Sequence, residues 1–220
     1  MRKEENMYKK GITTKNRILQ AAKELFYENG YDNTTVNMIK DRAEVSLSAI
    51  PYYFKEKDKI LNVIYSDFLT NIYNLIKKEI DEPIDSYLLH FHASKIYYYI
   101  IINDPNNKRF YREVTFAQSN IKILYPFMDN VYINYARDFG INVSDRELRL
   151  IRLTDAGGRR EIMIDNYNNP TKYAVDELID YLTAIVPNLM GINKEISAKY
   201  AELSSEFASN VDYSHIKFLV

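Results

Sequence analysis

Apolar residues return every three to four positions along most of this 220-residue chain, and alternation of strand period is sustained nowhere. From Thr14 to Asn29, the residues Ile18, Leu19, Ala22, Leu25 and Phe26 fall on one helical face. Thr13 or Thr14 is placed to cap that helix and Gly30 to stop it. Thr34 and Thr35 then cap a short helix over 35–43, with Val36, Ile39 and Ala43 inward, and a second short helix follows over 47–53. A long helix runs from Glu56 to Ile80 and breaks at Asp81-Glu82-Pro83. Further helices are expected over 84–103, 106–119, 122–139, 145–168, 171–190 and 193–210. Ser144 and Glu147 have the spacing of a capping box. The fold expected is all-α, with nine or ten helices and no strands. It has a three-helix head over 1–56 and a larger helical body over 57–220.

Composition removes several classes of chemistry. No cysteine is present, which excludes disulfides, thiolate zinc sites and cysteine nucleophiles. The first residues, MRKEENMYKK, are charged and lack the apolar run of a secretory signal. The most apolar stretch, Asp85 to Asp104, is interrupted by Lys95, and a membrane span wants about 20 apolar residues. A buried helix is the reading, in a cytoplasmic protein with no membrane partner. Charge is uneven: residues 1–60 carry twelve Lys/Arg against nine Asp/Glu, while residues 61–220 carry seventeen against twenty-one. A mildly basic head on an acidic body suits an anionic partner for the head.

Two short helices joined by a tight turn have a known use on DNA. The second is narrow enough for the major groove, where its N-terminal half meets base edges. Val36, Ile39, Ala43, Val45, Ile50 and Phe54 would hold the pair to the first helix. That leaves Leu47, Ser48, Ala49 and Tyr52 outward to read bases. Thr34, Thr35, Ser46, Tyr53 and Lys57 would sit at helix starts or rims, where hydroxyls, backbone N–H groups and an ammonium suit phosphates.

The run Thr14–Leu61, about 48 residues, resembles the DNA-binding domain of the tetracycline-repressor (TetR) family. The matching landmarks are Ile18-Leu19-x-Ala21-Ala22, Leu25-Phe26, Gly30-Tyr31, Thr34-Thr35-Val36, Ala43-x-Val45-Ser46 and Tyr53-Phe54-x-x-Lys57. The resemblance implies a homodimer on pseudo-palindromic operator DNA, with a small-molecule effector in the body. Carried over by position, Thr35, Ser48, Tyr52, Tyr53 and Lys57 would be the DNA contacts. Two positions depart from the pattern. Glu44 replaces the usual turn glycine, where a left-handed residue costs about 1 kcal/mol. Pro51 replaces a usual tyrosine. As about the fifth residue of its helix, it is expected to shorten or kink it.

Thirteen aromatic residues lie between positions 84 and 139. They form either a packed core or the wall of an effector pocket. The candidate effector residues are Phe91, Lys95, Tyr98, Arg112, Phe116 and Tyr132. His90 and His92 project about 200° apart on a helix and cannot share an ion, so no metal site and no cofactor is expected, and one histidine should face inward. Val175, Leu178, Leu182, Ile185 and Leu189 form a stripe that could face the core or a second copy. By the resemblance these residues, with Gly157 and Gly158 on the preceding helix, would join a four-helix dimer interface. The last helix, with Ile196, Tyr200, Leu203, Phe207 and Val211, is either core or an added dimer contact.

The leading function is a ligand-responsive DNA-binding repressor. An enzyme is disfavoured: there is no Gly-rich phosphate loop, Ser-His-Asp spacing or metal cluster. A DNA-tethered interaction protein without a ligand is the alternative. A body with no cavity above roughly 300 Å³ would favour it.

Overall fold

A computed structural model describes residues 2–117 and 124–220, with side chains from Gly11 onward. Among these residues every regular element is a helix. The elements are α1 (Arg2–Asn29), α2 (Val36–Ala43), α3 (Ala49–Phe54), α4 (Lys57–Glu79), α5 (Ser86–Ile102), α6 (Pro105–Phe116), α7 (Tyr125–Asp138), α8 (Asp145–Asn168), α9 (Val175–Leu189) and α10 (Lys194–Asn210). The all-α expectation holds. The expected ends of two helices, at 119 and at 122, lie outside the described residues.

Local chemistry accounts for most of the boundaries. Asp85 caps α5 by accepting from the N–H groups of Tyr87 and Leu88, and Asp104 caps α6 in the same way. Ser144 and Glu147 form the expected capping box at the start of α8. Gly30 ends α1 with φ +83°. One start differs from expectation. Helix α1 runs straight through Thr13 and Thr14, so neither is its cap.

Helix α5 is the centre of the body. It packs against α4, α6, α7, α9 and α10. Tyr87, Phe91, His92, Lys95, Ile96 and Tyr98 are buried on several of its faces. This explains the apolar run read in the sequence: a helix apolar all round is one covered all round. No helix among the described residues is long and apolar enough to cross a membrane. Helix α10 packs on α5 and α9, with Leu203 left exposed.

One apolar core runs unbroken from head to body. Phe26 meets Phe110 of α6 (ring centroids 5.3 Å), Phe110 meets Phe218 (5.5 Å), and Phe218 meets Phe68 of α4 (4.7 Å). The segment after α10 therefore folds back between α4 and α6 and buries Ile216, Phe218 and Leu219. Polar contacts bind the same junction. Arg109 of α6 donates to the carbonyls of Tyr27 (2.6 Å) and Glu28 (2.9 Å), at the carboxyl end of α1. Tyr27 donates to Asp104 at 2.9 Å.

Candidate nucleic-acid interface and internal cavity

The head is built on α1. Ile18, Ala22, Leu25 and Phe26 are buried against Ile39 and Ala43 of α2 and Ile50 and Phe54 of α3. The turn between α2 and α3 is made by Glu44 in the left-handed conformation (φ 50°, ψ 51°). Val45 N–H reaches back to the Lys40 carbonyl at 3.2 Å, which closes the helix end. Arg17 offsets the cost of a non-glycine there. Its guanidinium donates to the Ala43 and Glu44 carbonyls and lies 3.5 Å from the Glu44 carboxylate.

Pro51 corrects an expectation. Ser46–Ser48 form a turn, and α3 starts only at Ala49. Pro51 is thus third in the helix. Its missing N–H falls among those that the first turn leaves without an intrahelical partner, so the proline costs little. The helix is six residues long.

Leu47 is 53% exposed and Tyr52 79%, both on the outer side of the head. Ser46 and Ser48 are exposed, with their hydroxyls 3.0 Å apart. Ala49 and Tyr53 are half-buried, and the Tyr53 ring meets the Tyr52 ring edge-on at 4.9 Å. Thr35 is exposed, and its hydroxyl caps α2 by accepting from Met38 N–H.

Two expected phosphate contacts point elsewhere. Thr34 is 1% exposed, and its hydroxyl donates to the carbonyls of Gly30 (2.6 Å) and Leu25 (3.1 Å). It pins the α1–α2 loop from within. The Lys57 ammonium donates to the Tyr31 (2.9 Å) and Thr34 (3.0 Å) carbonyls and stands 3.8 Å over the Tyr31 ring. Burial lowers its pKa. Lys57 therefore ties the first turn of α4 to that loop. Its place after the Tyr-Phe pair suggested a phosphate contact, but the loop carbonyls are what it meets.

The body holds a cavity of about 120 Å³, walled by α4 to α9. Tyr98 and Tyr132, two of the expected effector residues, are on its wall; Phe91, Lys95, Arg112 and Phe116 are not. Phe91 packs on Tyr87 in a separate apolar cluster. Lys95 turns to α9, where its buried ammonium lies 2.7 Å from both Asp176 and Asp180. Arg112 is exposed and lies over the ring of Phe116 at 5.2 Å. Those charged and aromatic side chains were chosen by residue type, whereas helix rotation decides which ones see the cavity.

The wall residues that the sequence reading passed over form a polar string. Tyr132 donates to Asp155 at 2.7 Å, and Arg159 holds the same carboxylate at 2.9 Å. Arg159 also donates to the Leu182 carbonyl (2.8 Å) and to the Tyr98 hydroxyl (3.1 Å). The readable signal was the i, i+4 spacing of Asp155 and Arg159 on α8. His90, also on the wall, is hydrogen-bonded to the Tyr73 hydroxyl at 2.9 Å, and burial lowers its pKa to about 4. His92 is 4% exposed, stacks on Phe207 at 4.4 Å, and burial lowers its pKa likewise to about 4. Both histidines face inward, not one, because α5 is covered on both sides. Among the described residues no group of three potential metal ligands comes together.

The candidate dimer stripe divides. Leu178 and Leu182 are buried in the protein's own core, and Ile185 packs half-buried against it, so the first two are not available to a second copy. Val175 and Leu189 are exposed, as is Gly157; Gly158 is half-exposed, and neither glycine has a neighbour where a Cβ would stand. Leu150, Leu153 and Tyr181 are exposed on the same two helices.

Comparison with known proteins agrees with this architecture. Residues 18–64 match the family described as bacterial regulatory proteins, tetR family. A probable HTH-type transcriptional regulator, YttP of Bacillus subtilis (strain 168), is 35% identical over 57 residues. That match covers 26% of this chain and 28% of YttP, so the chain spans little more than a quarter of this relative's length. Among solved structures, RolR in complex with resorcinol superposes with a TM-score of 0.60 at 15% identity, over 90% of this chain and 95% of RolR. RolR without ligand gives 0.55 at 16% identity, over 86% and 96%. SmeT, the repressor of the Stenotrophomonas maltophilia multidrug efflux pump SmeDEF, gives 0.50 at 16% identity, over 79% and 88%. At these identities the likeness is one of fold. Residues 18–64 thus resemble the tetR family of bacterial regulatory proteins in sequence, and the helical arrangement resembles that of RolR in space.

Proposed function

We propose that the chain acts in the cytoplasm as a homodimeric transcriptional repressor. In this reading the head, residues 1–56, binds operator DNA, and a small apolar or aromatic molecule in the body, residues 57–220, releases it. The observation that carries the reading is the outer side of α3 and of the turn before it. Leu47 and Tyr52 are large side chains left exposed on a head whose other large apolar groups are mostly packed away. They offer apolar contact to thymine methyls and sugar, and Tyr52 a hydroxyl. Thr35, Ser46, Ser48, Ala49 and Tyr53 complete the proposed contact set. Thr34 and Lys57 act behind it, as supports of the loop.

Dimerisation is assigned to α8 and α9 through Leu150, Leu153, Gly157, Tyr181, Ile185 and Leu189. The last three recur at i, i+4, i+8 and give one stripe. The effector is assigned to the body cavity; a protein of the same fold, RolR, has been solved with resorcinol as ligand.

The test is a mobility shift with DNA from upstream of the chain's own reading frame at low salt. Nanomolar binding that weakens as salt rises is expected. Absence of any shift would overturn the reading. A second reading is a DNA-tethered interaction protein that senses no small molecule; a body with no cavity above roughly 300 Å³ would support it, but a pocket of about 470 Å³ lies between α4 and the start of α7. Under it, no small molecule changes the shift.

A further inference from the structure

We propose that the cavity selects an uncharged single-ring phenol, held at its oxygen by Tyr135 and Tyr98, and rejects carboxylates. This rests on the effector reading above and gives it a chemical class.

Size sets the first limit. A cavity of about 120 Å³ is of the order of the 150 Å³ apolar cavity that holds benzene. It accommodates one ring and a substituent or two. Beside it, between α4 and the start of α7, a more open pocket of about 470 Å³ shares Tyr65, Leu69, Leu124 and Phe127 with its wall.

Charge sets the second limit. Each charged group on the wall already has its counterpart. Asp155 is paired with Arg159, and Arg159 is further held by Leu182. Arg160 is paired with Glu161 and donates to the Phe116 carbonyl. His90 is neutral at neutral pH and is bonded to Tyr73. A ligand carrying a charge would lose its hydration and find no unpaired counter-ion among the described wall residues, which is costly in an apolar interior.

Unused hydrogen bonds set the third. Tyr135 is 1% exposed, lies on the wall, and its hydroxyl has no partner among the described residues. A buried hydroxyl without a partner is unusual and costs stability. Tyr98 accepts from Arg159 and keeps its own proton to donate. The wall therefore carries two hydroxyl donors among aromatic side chains. A phenol supplies the ring, the oxygen and the neutrality together.

The experiment is isothermal titration of the purified full chain with phenol, benzoate, decanoate and toluene, alongside the mobility shift. Phenol should bind in the micromolar range, with benzoate and decanoate at least tenfold weaker. Tyr135→Phe should weaken phenol about threefold to tenfold, leave toluene unchanged, and raise the melting temperature of the free protein. Benzoate binding as well as phenol would overturn the proposal. So would an unchanged phenol-to-toluene preference in Tyr135→Phe. A protein that shifts its promoter DNA but ignores phenol loses this inference and keeps the regulator reading. One that binds phenol selectively but retards no DNA keeps the inference and loses that reading.

Discussion

Glu113 of α6 accepts a hydrogen bond from the backbone N–H of Asp32 at 2.9 Å, and so latches the body to the loop that follows α1. The next turns of the same helix present Tyr111 and Val114 to the cavity. One short helix thus touches the head on one side and the cavity wall on the other. Any molecule that shifts α6 must move both.

Gly30 is where this latch is most vulnerable. It holds φ +83°, and an added Cβ would stand 2.6 Å from the Glu113 carboxylate oxygens. Gly30→Ala is expected to destabilise the fold by about 2 kcal/mol, from left-handed strain and the displaced latch. Urea unfolding measures it. Glu113→Ala, which removes the collision, should cost about 1 kcal/mol alone and make Gly30→Ala less harmful. Strictly additive losses would refute the coupling.

Lys57 and Tyr52 should part company. Lys57→Ala removes two hydrogen bonds and a cation–π contact, and is expected to lower stability by about 1–2 kcal/mol. The salt slope of DNA binding should stay the same, since the ammonium faces loop carbonyls. Tyr52→Ala should leave unfolding within about 0.5 kcal/mol of the wild type and change preference among operator sequences. A salt slope reduced by about one phosphate in Lys57→Ala would place that side chain on DNA after all.

Acid should weaken the fold through its two inward histidines. Burial lowers both folded pKa values to about 4, whereas an unfolded histidine titrates near 6.5. The unfolded chain therefore takes up protons first as pH falls. The stabilisation is complete above about pH 6.5 and is lost between about 6.5 and 4, at up to about 1.4 kcal/mol per histidine per pH unit. Urea midpoints measured from pH 7.5 to 4.5 report it. His92→Phe keeps the stacking on Phe207 and should remove about half of the slope. An undiminished slope would place the titrating groups elsewhere.

The returning segment after α10 should matter as much as any helix. Phe218 is fully buried among Tyr65, Phe68 and Phe110. Phe218→Ala is expected to cost about 3–5 kcal/mol. If head and body share one core through this ring, unfolding should stay a single transition in both proteins. A calorimetric trace that splits in two for the variant would show that Phe218 alone joins them.

Periodicity, caps and turn residues act over a few neighbours, and they were legible before any coordinate. Asp104-Pro105, Ser144 with Glu147, Gly30 and the αL turn at Glu44 each mark an element from local chemistry. The head was legible for the same reason, since its landmarks lie within about 48 consecutive residues. What stayed hidden was direction. Leu178 and Leu182 looked fit for a second copy until α5 was seen to cover them. Lys95 looked fit for an anionic ligand, but Asp176 and Asp180, some eighty positions away, had already taken its charge. Lys57 and Thr34 looked fit for phosphates until the loop carbonyls beside them were in view. Pro51 looked interior until the turn before α3 had used up Ser46–Ser48. Local rules settle which residues become helix, because they depend on i to i+4 neighbours. Rotation about each helix axis depends on distant partners, and it decides which side chains face DNA, cavity, core or a second copy.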